Sequence, residues 1–320
     1  MSARRSSGFL APVPPTVAIE IARRRVTVVE LGGSRGGPVV STYASEPLDD
    51  GLVTPGLAAP NIPDPKPVAD ALERALARAG LRSASRAALV IPDSVARVSL
   101  VSFEKLPARA ADLDQLVRWQ LKKATPFPID DAQVTHFPAH SADGSVTLAA
   151  VAARTDVIAQ YEAVTDAAGV RAGIVDLASL NVMNAIIGAG AAPPGDWLLV
   201  HLAAEGTTLA ILRGSDLLFY RHRMAVEDET LAALVHQTAM YHEDRLGTSQ
   251  FTRVWLSGAS LGAADGEQAR REISERLGIQ AEAVDIRPAA SLGSRVTASP
   301  DVLDSLAAPV GVLLRERKAA

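Results

Sequence analysis

Two stretches of the chain carry the layout of a phosphate clamp, each with its decisive residues replaced. Residues 16–31 (TVAIEIARRRVTVVEL) and 198–212 (LLVHLAAEGTTLAIL) both read as a strand, a tight turn and a returning strand. In such a hairpin a carboxylate near the end of the first strand can hold hydrated Mg²⁺, a hard cation that prefers oxygen. A glycine in the turn lets main-chain N–H groups approach phosphate oxygens. The first hairpin instead reads Glu20-Ile21-Ala22-Arg23, and the second His201-Leu202-Ala203-Ala204. Glu20 keeps the charge but adds a methylene. His201 offers an imidazole, a poor magnesium ligand. Ala22 and Ala203 remove the freedom of glycine at both turns. Gly206, Thr207 and Thr208 keep hydrogen-bonding capacity beside the second turn. The run Arg23-Arg24-Arg25 could offset phosphate charge, although a run of this kind is more often a solvated turn.

Other combinations are weaker. His136 and His140 are four apart, but Pro138 between them spoils a helical metal pair, and His236 and His242 do not share a helix face. No serine or threonine has the context of a nucleophilic triad. No catalytic residue and no metal site is assigned. A second kind of chemistry, partner capture, is carried by residues 113–124. Leu113, Val117, Gln120, Leu121 and Ala124 form one helical stripe, and Trp119 points roughly opposite, beside Arg118 and Lys122. An indole off its own helix's core face needs another surface, either the rest of the fold or a partner, since Trp and Arg are enriched at binding hot spots.

The elements that would position these residues alternate between strands and helices. After the first hairpin come a strand at 38–43, a Pro- and Gly-rich loop at 47–67, a helix at 67–79 stopped by Gly80, and a strand at 86–91. A strand at 96–103, a helix at 113–124 and strands near 133–137 and 145–151 read as a small α+β insert. A helix at 155–168 with Thr155 as N-cap, a strand at 173–176 and a helix at 177–187 lead to the linker GAGAAPPG at 188–195, the best domain boundary in the chain. Beyond it lie strands at 197–202, 207–213 and 217–223, a helix at 227–246, a strand at 253–257 and a helix at 266–277. A last helix opens with Ser299 as N-cap and Pro300 at N1. This gives an α/β protein in two halves, each starting with the same hairpin. Its expected parts are a flexible tail at 1–15, a first domain at 16–190 with the insert at about 93–151, a second at 195–290, and a helix at 299–316.

Composition bounds the function. The 320 residues suffice for two domains, with 48% hydrophobic residues, 21% charged and only 4% aromatic, so the core should be aliphatic. A net charge of −4 argues against a nucleic-acid partner. The absence of cysteine excludes disulfides and thiolate metal sites and suits a reducing compartment. No apolar run spans a bilayer, and the start is too short and Pro-rich for a signal peptide, so a cytoplasmic location is expected.

The order and spacing of several segments resemble a known family. They are VAIEIARRRVTVVEL, then VIPDSVARVSLVSFEKLPARAADLDQLVRWQLKKATPFPIDDAQVTHF, then VTLAAVAARTDVIAQYEAVTDAAGVRAGIVDLASLNVMNAI, LLVHLAAEGTTLAILRGSDLLFYRHR, VWLSGAS and DSLAAPVGVLLRE. Over residues 17–315 the chain resembles the PilM family of type IV pilus assembly proteins, and less closely the cytoplasmic part of the GspL family of type II secretion. The resemblance implies an actin-like (ribonuclease H-like) fold with the final helix returning to the first domain. It implies ATP with Mg²⁺ in the central cleft, held by Asp-Ile-Gly turns that this chain lacks. Glu20, Ala22, Arg23, His201, Ala203, Gly206, Thr207 and Gly258 are then remnant nucleotide positions, with Gly258 where the family approaches adenosine. It implies a scaffold, peripheral to the inner membrane, that holds the cytoplasmic N-terminus of a PilN-like membrane protein in a groove between the first domain and the insert. Other pilus or secretion subunits, and further copies of the chain, are the remaining partners it suggests. An active ATPase or kinase of the same superfamily is the alternative.

Overall fold

The computed structural model describes residues 14–34, 36–226, 229–247, 250–259 and 266–319. The tail expected at 1–15 therefore falls almost wholly outside the described residues. In chain order the elements are β1 (Val17–Ile21), β2 (Arg25–Ser34), β3 (Gly37–Pro47), α1 (Pro65–Ala79), β4 (Arg86–Ile91), β5 (Ala96–Phe103), α2 (Ala110–Leu121), β6 (Ala132–Ala142), β7 (Ser145–Arg154), α3 (Thr155–Ala167), β8 (Arg171–Leu177) and α4 (Ala178–Gly188). The second half continues with β9 (Asp196–Ala203), β10 (Gly206–Arg213), β11 (Asp216–Met224), α5 (Leu231–Leu246), β12 (Arg253–Ser257), α6 (Gly266–Leu277), β13 (Ala281–Ala283), β14 (Ser291–Leu292) and α7 (Pro300–Ala319).

Two sheets repeat one topology. The first runs β14-β3-β2-β1-β4-β8 and the second β11-β10-β9-β12-β13. In each, a three-stranded antiparallel meander is followed by parallel strands added beside its first strand. The insert is a third, three-stranded sheet in the order β5-β7-β6, covered on one face by α2.

Burial follows from strand alternation. Leu198, Val200 and Leu202 of β9 point to one face and join Val235 of α5 and Ile273 of α6 in a core of the second half. Trp197 and Leu199 point to the other face and belong to the same core as β1, β4, α4 and α7. The second sheet is thus buried on both faces, and apolar packing runs without a break from one half to the other. α7 lies directly on α4. A Cβ at Gly311 would sit 1.8 Å from the Asn181 carbonyl oxygen, so only glycine permits this approach.

Several expected bounds shift for local reasons. β3 reaches Pro47 rather than residue 43, because β2 continues to pair with it past a bulge at Glu30/Leu31. α2 starts and stops three residues earlier than expected, as the chain turns at Lys122–Ala124. Thr155 is the first residue of α3 and not its cap; Arg154 occupies the cap position. α5 begins at Leu231, where Thr230 accepts the Ala233 N–H at 3.2 Å. Residues 227–228, where its start was expected, lie outside the described residues. No helix among the described residues is long and apolar enough to cross a membrane.

Candidate functional site

The two hairpin turns meet at the carboxyl ends of the parallel strands of both sheets, where open α/β folds place ligands. β1 brings Glu20, the segment after β4 brings Asp93, β9 brings His201, and the β9–β10 turn brings Glu205. They line a cavity of about 30 Å³, together with Ala22, Arg23, Ala178 and Ala203. Gly206, Thr207 and Gly258 do not line it.

Side chains tie the halves together across this place. Asp93 forms a single 3-10 turn with Ser94 and Val95 directly after β4. One oxygen of its carboxylate accepts the Ser179 N–H at the start of α4 (3.1 Å), and the other accepts the Thr208 hydroxyl of β10 (2.7 Å). Having donated its only proton to Asp93, Thr208 must accept from His222 Nδ1, 2.9 Å away. That fixes the neutral tautomer with Nδ1–H, and burial correspondingly lowers the His222 pKa. Ser94 donates to Glu205 at 3.4 Å, and Ser179 and Tyr220 share a hydroxyl–hydroxyl bond of 2.9 Å. On the far side, Asp304 of α7 accepts the Gly258 N–H at 2.7 Å.

These bonds recast the sequence-derived positions. Gly258 is retained for packing: its φ is +74°, and a Cβ there would lie 1.8 Å from the Leu202 carbonyl oxygen. Gly206 is likewise pressed against the Arg223 carbonyl. His201 is buried and bonds Ser257 at 2.8 Å, joining β9 to β12. The arginine run is not a uniformly solvated turn. Arg24 is exposed and faces Asp50, whereas Arg23 lines the cavity and Arg25 turns inward toward Glu20, 4.0 Å away. Glu20 Oε2, Arg23 Nε, and Arg25 Nε and Nη2 are buried without hydrogen-bond partners. Burial, reinforced by nearby Asp304, Asp93 and Glu205, pushes the Glu20 pKa up to about 7 against the pull of Arg25. Glu205 is also raised, chiefly by burial.

A second concavity lies between outer strands. β6 edges the insert sheet and β8 edges the first sheet. Between them is a cavity of about 310 Å³ lined by Thr135, Val151, Ile158, Asp176 and Leu177. It adjoins one of about 270 Å³ over α4, lined by Met183, Ile187 and Leu217, and Phe137, Leu180 and Arg315 border both. Arg315 of α7 is ion-paired to Asp176.

Trp119 is 67% exposed, as its off-stripe position predicts, but it does not border this groove. Leu148, Ala150 and Ala152 of β7 face α2, whereas Val151 and Ala153 face the groove, so the sheet separates the two. Arg118 is engaged in holding the insert, donating to the carbonyls of Ile129 and Ala132 at 3.2 Å each. Lys122 is exposed one helical turn from Trp119. Of the histidines, His136 bonds Asp114, His140 bonds the Leu217 carbonyl, and His242 is buried against Asp196 and Phe251.

Sequence reasoning missed Asp93, Glu205, His222 and Asp304. Two signals pointed to them: a carboxylate directly after a buried strand (Pro92-Asp93), and a charged residue in a turn expected to hold phosphate.

Comparison with known proteins sets this geometry in a family. A family described as type IV pilus assembly protein PilM matches residues 18–245. Among solved structures, a PilM–PilN type IV pilus biogenesis complex superposes with a TM-score of 0.78 at 19% identity, over 95% of this chain and 99% of that one. A protein of unknown function with an actin-like ATPase fold, from Bacteroides thetaiotaomicron, gives 0.51 at 9% identity, over 86% and 91%. The cytoplasmic domain of EpsL, an inner-membrane component of the Vibrio cholerae type II secretion system, gives 0.47 at 9% identity, over 95% and 94%. No curated protein matches the sequence. The fold is actin-like, and the chain belongs to the type IV pilus assembly protein PilM family.

Proposed function

We propose that the chain is a cytoplasmic scaffold of pilus assembly that captures an extended N-terminal segment of a PilN-like inner-membrane protein without using a nucleotide. The groove between β6 and β8 is the observation that carries the first part. Two outer strands face it, and its walls set Phe137 and aliphatic residues beside polar Gln133, Thr135 and Asn184, with the Arg315–Asp176 pair at the border, as suits an extended peptide that offers both side chains and main-chain groups. The relative with the highest TM-score quoted above was solved as a complex with PilN. Attachment to the membrane is then indirect, through the partner.

The second part rests on a test of fit. The actin-like fold implies a nucleotide with Mg²⁺ between the halves, and the residues present here do not suit one. A cavity of about 30 Å³ has room for a water or two, whereas ligand pockets typically measure about 300–1,000 Å³. The hydroxyl of Thr208 and the N–H of Gly258 are already committed to the carboxylates of Asp93 and Asp304. Asp93, Glu205 and Asp304 all lie within electrostatic reach of Glu20, where a polyphosphate would add more negative charge.

The groove reading predicts that Phe137→Ala, at a residue bordering both cavities, weakens binding of a synthetic partner N-terminal peptide at least tenfold with an unchanged melting curve. Unchanged affinity by calorimetry would remove the groove assignment. Trp119 and Lys122 we assign to a separate contact within the same assembly. Trp119→Ala is expected to leave peptide capture intact while weakening pull-down of the detergent-solubilised inner-membrane subassembly. Equal recovery of that subassembly would leave Trp119 without a role in it.

A further inference from the structure

A third concavity is larger than the cleft and the groove. It measures about 780 Å³ and lies between β5 of the insert and the second half of β11. Both are outermost strands of their sheets. The N–H of Ala225 bonds the Glu205 carbonyl, so residue 225 faces β10. By the alternation of an antiparallel pair, the main-chain groups of Tyr220, His222 and Met224 point away from β10, along the free edge. The concavity is lined by Arg97, Arg221 and Arg223 against one carboxylate, Glu229. Arg223 stands 4.0 Å from Glu229. Arg221 lies over the Phe219 ring and reaches Gln237, and among the described residues neither it nor Arg97 meets a carboxylate. Met224 and Val226 on the rim are 47% and 59% exposed.

We propose that this edge is a second docking site, which takes an extended, acidic segment of a partner protein as an added strand on β11. Main-chain bonds to the outward groups of β11 would hold the segment. Its acids would meet the arginines, and apolar residues between them would cover Met224 and Val226. The chain's own residues 1–13 carry Arg4 and Arg5 and no acid, so their charge has the wrong sign for this place.

The test is selection from a phage-displayed library of short random peptides on the wild-type protein, with counter-selection on the double variant Arg97→Glu/Arg221→Glu. Peptides alternating Asp or Glu with apolar residues are expected. A fluorescein-labelled copy of the dominant sequence should bind at least tenfold more weakly to Arg97→Glu. It should also weaken with Met224→Pro, which removes one outward N–H and no pairing bond. Phe137→Ala should leave its affinity unchanged. Both edge variants are checked by thermal melting, and if Met224→Pro fails to fold, Arg97→Glu decides alone. Enrichment of neutral or basic sequences, or binding insensitive to Arg97→Glu, would overturn the proposal. So would loss of binding in Phe137→Ala, which would place the peptide in the groove. Sedimentation showing wild-type dimers that Arg97→Glu dissociates would overturn it in favour of a second copy of the chain.

Discussion

Replacing Glu20 with glutamine is expected to stabilise the protein above neutral pH and to leave it unchanged in mild acid. Glu20 is buried at the inner end of β1, one of its oxygens has no hydrogen-bond partner, and its nearest cation is 4.0 Å away. Its folded pKa, about 7, lies above the ordinary glutamate value of about 4.5. A carboxyl raised in this way favours folding most when both states are protonated. That contribution is lost as pH climbs from about 4.5 to about 7. The whole loss corresponds to about 3 kcal/mol by linkage, and water entering the site would reduce it. Glu205, also raised, acts with the same sign. His222, whose pKa is lowered, acts oppositely, because the unfolded chain takes up the proton as pH falls. Comparing Glu20→Gln with wild type isolates the Glu20 share. Urea unfolding at pH 4 and pH 8 should show nearly equal stability at the first and a gain of about 2–3 kcal/mol at the second. An equal effect at both pH values would mean that Glu20 is not a buried acid of raised pKa.

Asp93→Ala is expected to cost about 2–4 kcal/mol, from two groups left without their acceptor. One is the Ser179 N–H in the first turn of α4, where a carboxylate also complements the helix dipole. The other is the Thr208 hydroxyl, through which Asp93 reaches His222 and the second half. Asp93→Asn keeps an acceptor for Ser179 and should lose less. Amide exchange should quicken at the start of α4 and along β10 and β11 in Asp93→Ala, and remain as in wild type along β6 and β7. A loss below about 1 kcal/mol would show that apolar packing alone joins the halves.

What could be read in advance follows the range of the signals. β5 and β12 begin and end where expected, because alternation and turn residues are local. α2 buries Val117 and Leu121 of the expected stripe and exposes Trp119, but Gln120 is exposed and Ala124 lies past the helix end at Leu121; neither Lys122 nor Lys123 is a stop signal that would have marked that end. Trp119 and its neighbours stand out as partner candidates because an off-stripe tryptophan is visible in sequence. The groove was not visible, because Phe137, Leu180 and Arg315 come from three distant segments that meet only when β6 and β8 edge adjacent sheets. The cleft divides in the same way. Ala22, Ala203 and His201 are legible as residues of two similar strand-turn-strand hairpins, and all three line the cavity. The carboxylates of Asp93 and Glu205, which line the cavity between those turns, and of Asp304, which holds the Gly258 N–H, come from separate elements with no shared motif.

Whether partner capture needs a nucleotide is decided most directly by calorimetric titration of the partner's N-terminal cytoplasmic peptide into the protein, with and without saturating Mg-ATP. The expected result is a single binding isotherm whose affinity is the same in both, with no heat from Mg-ATP alone. Binding that appears only with Mg-ATP, or tightens tenfold in its presence, would contradict a scaffold whose halves are joined by their own side chains.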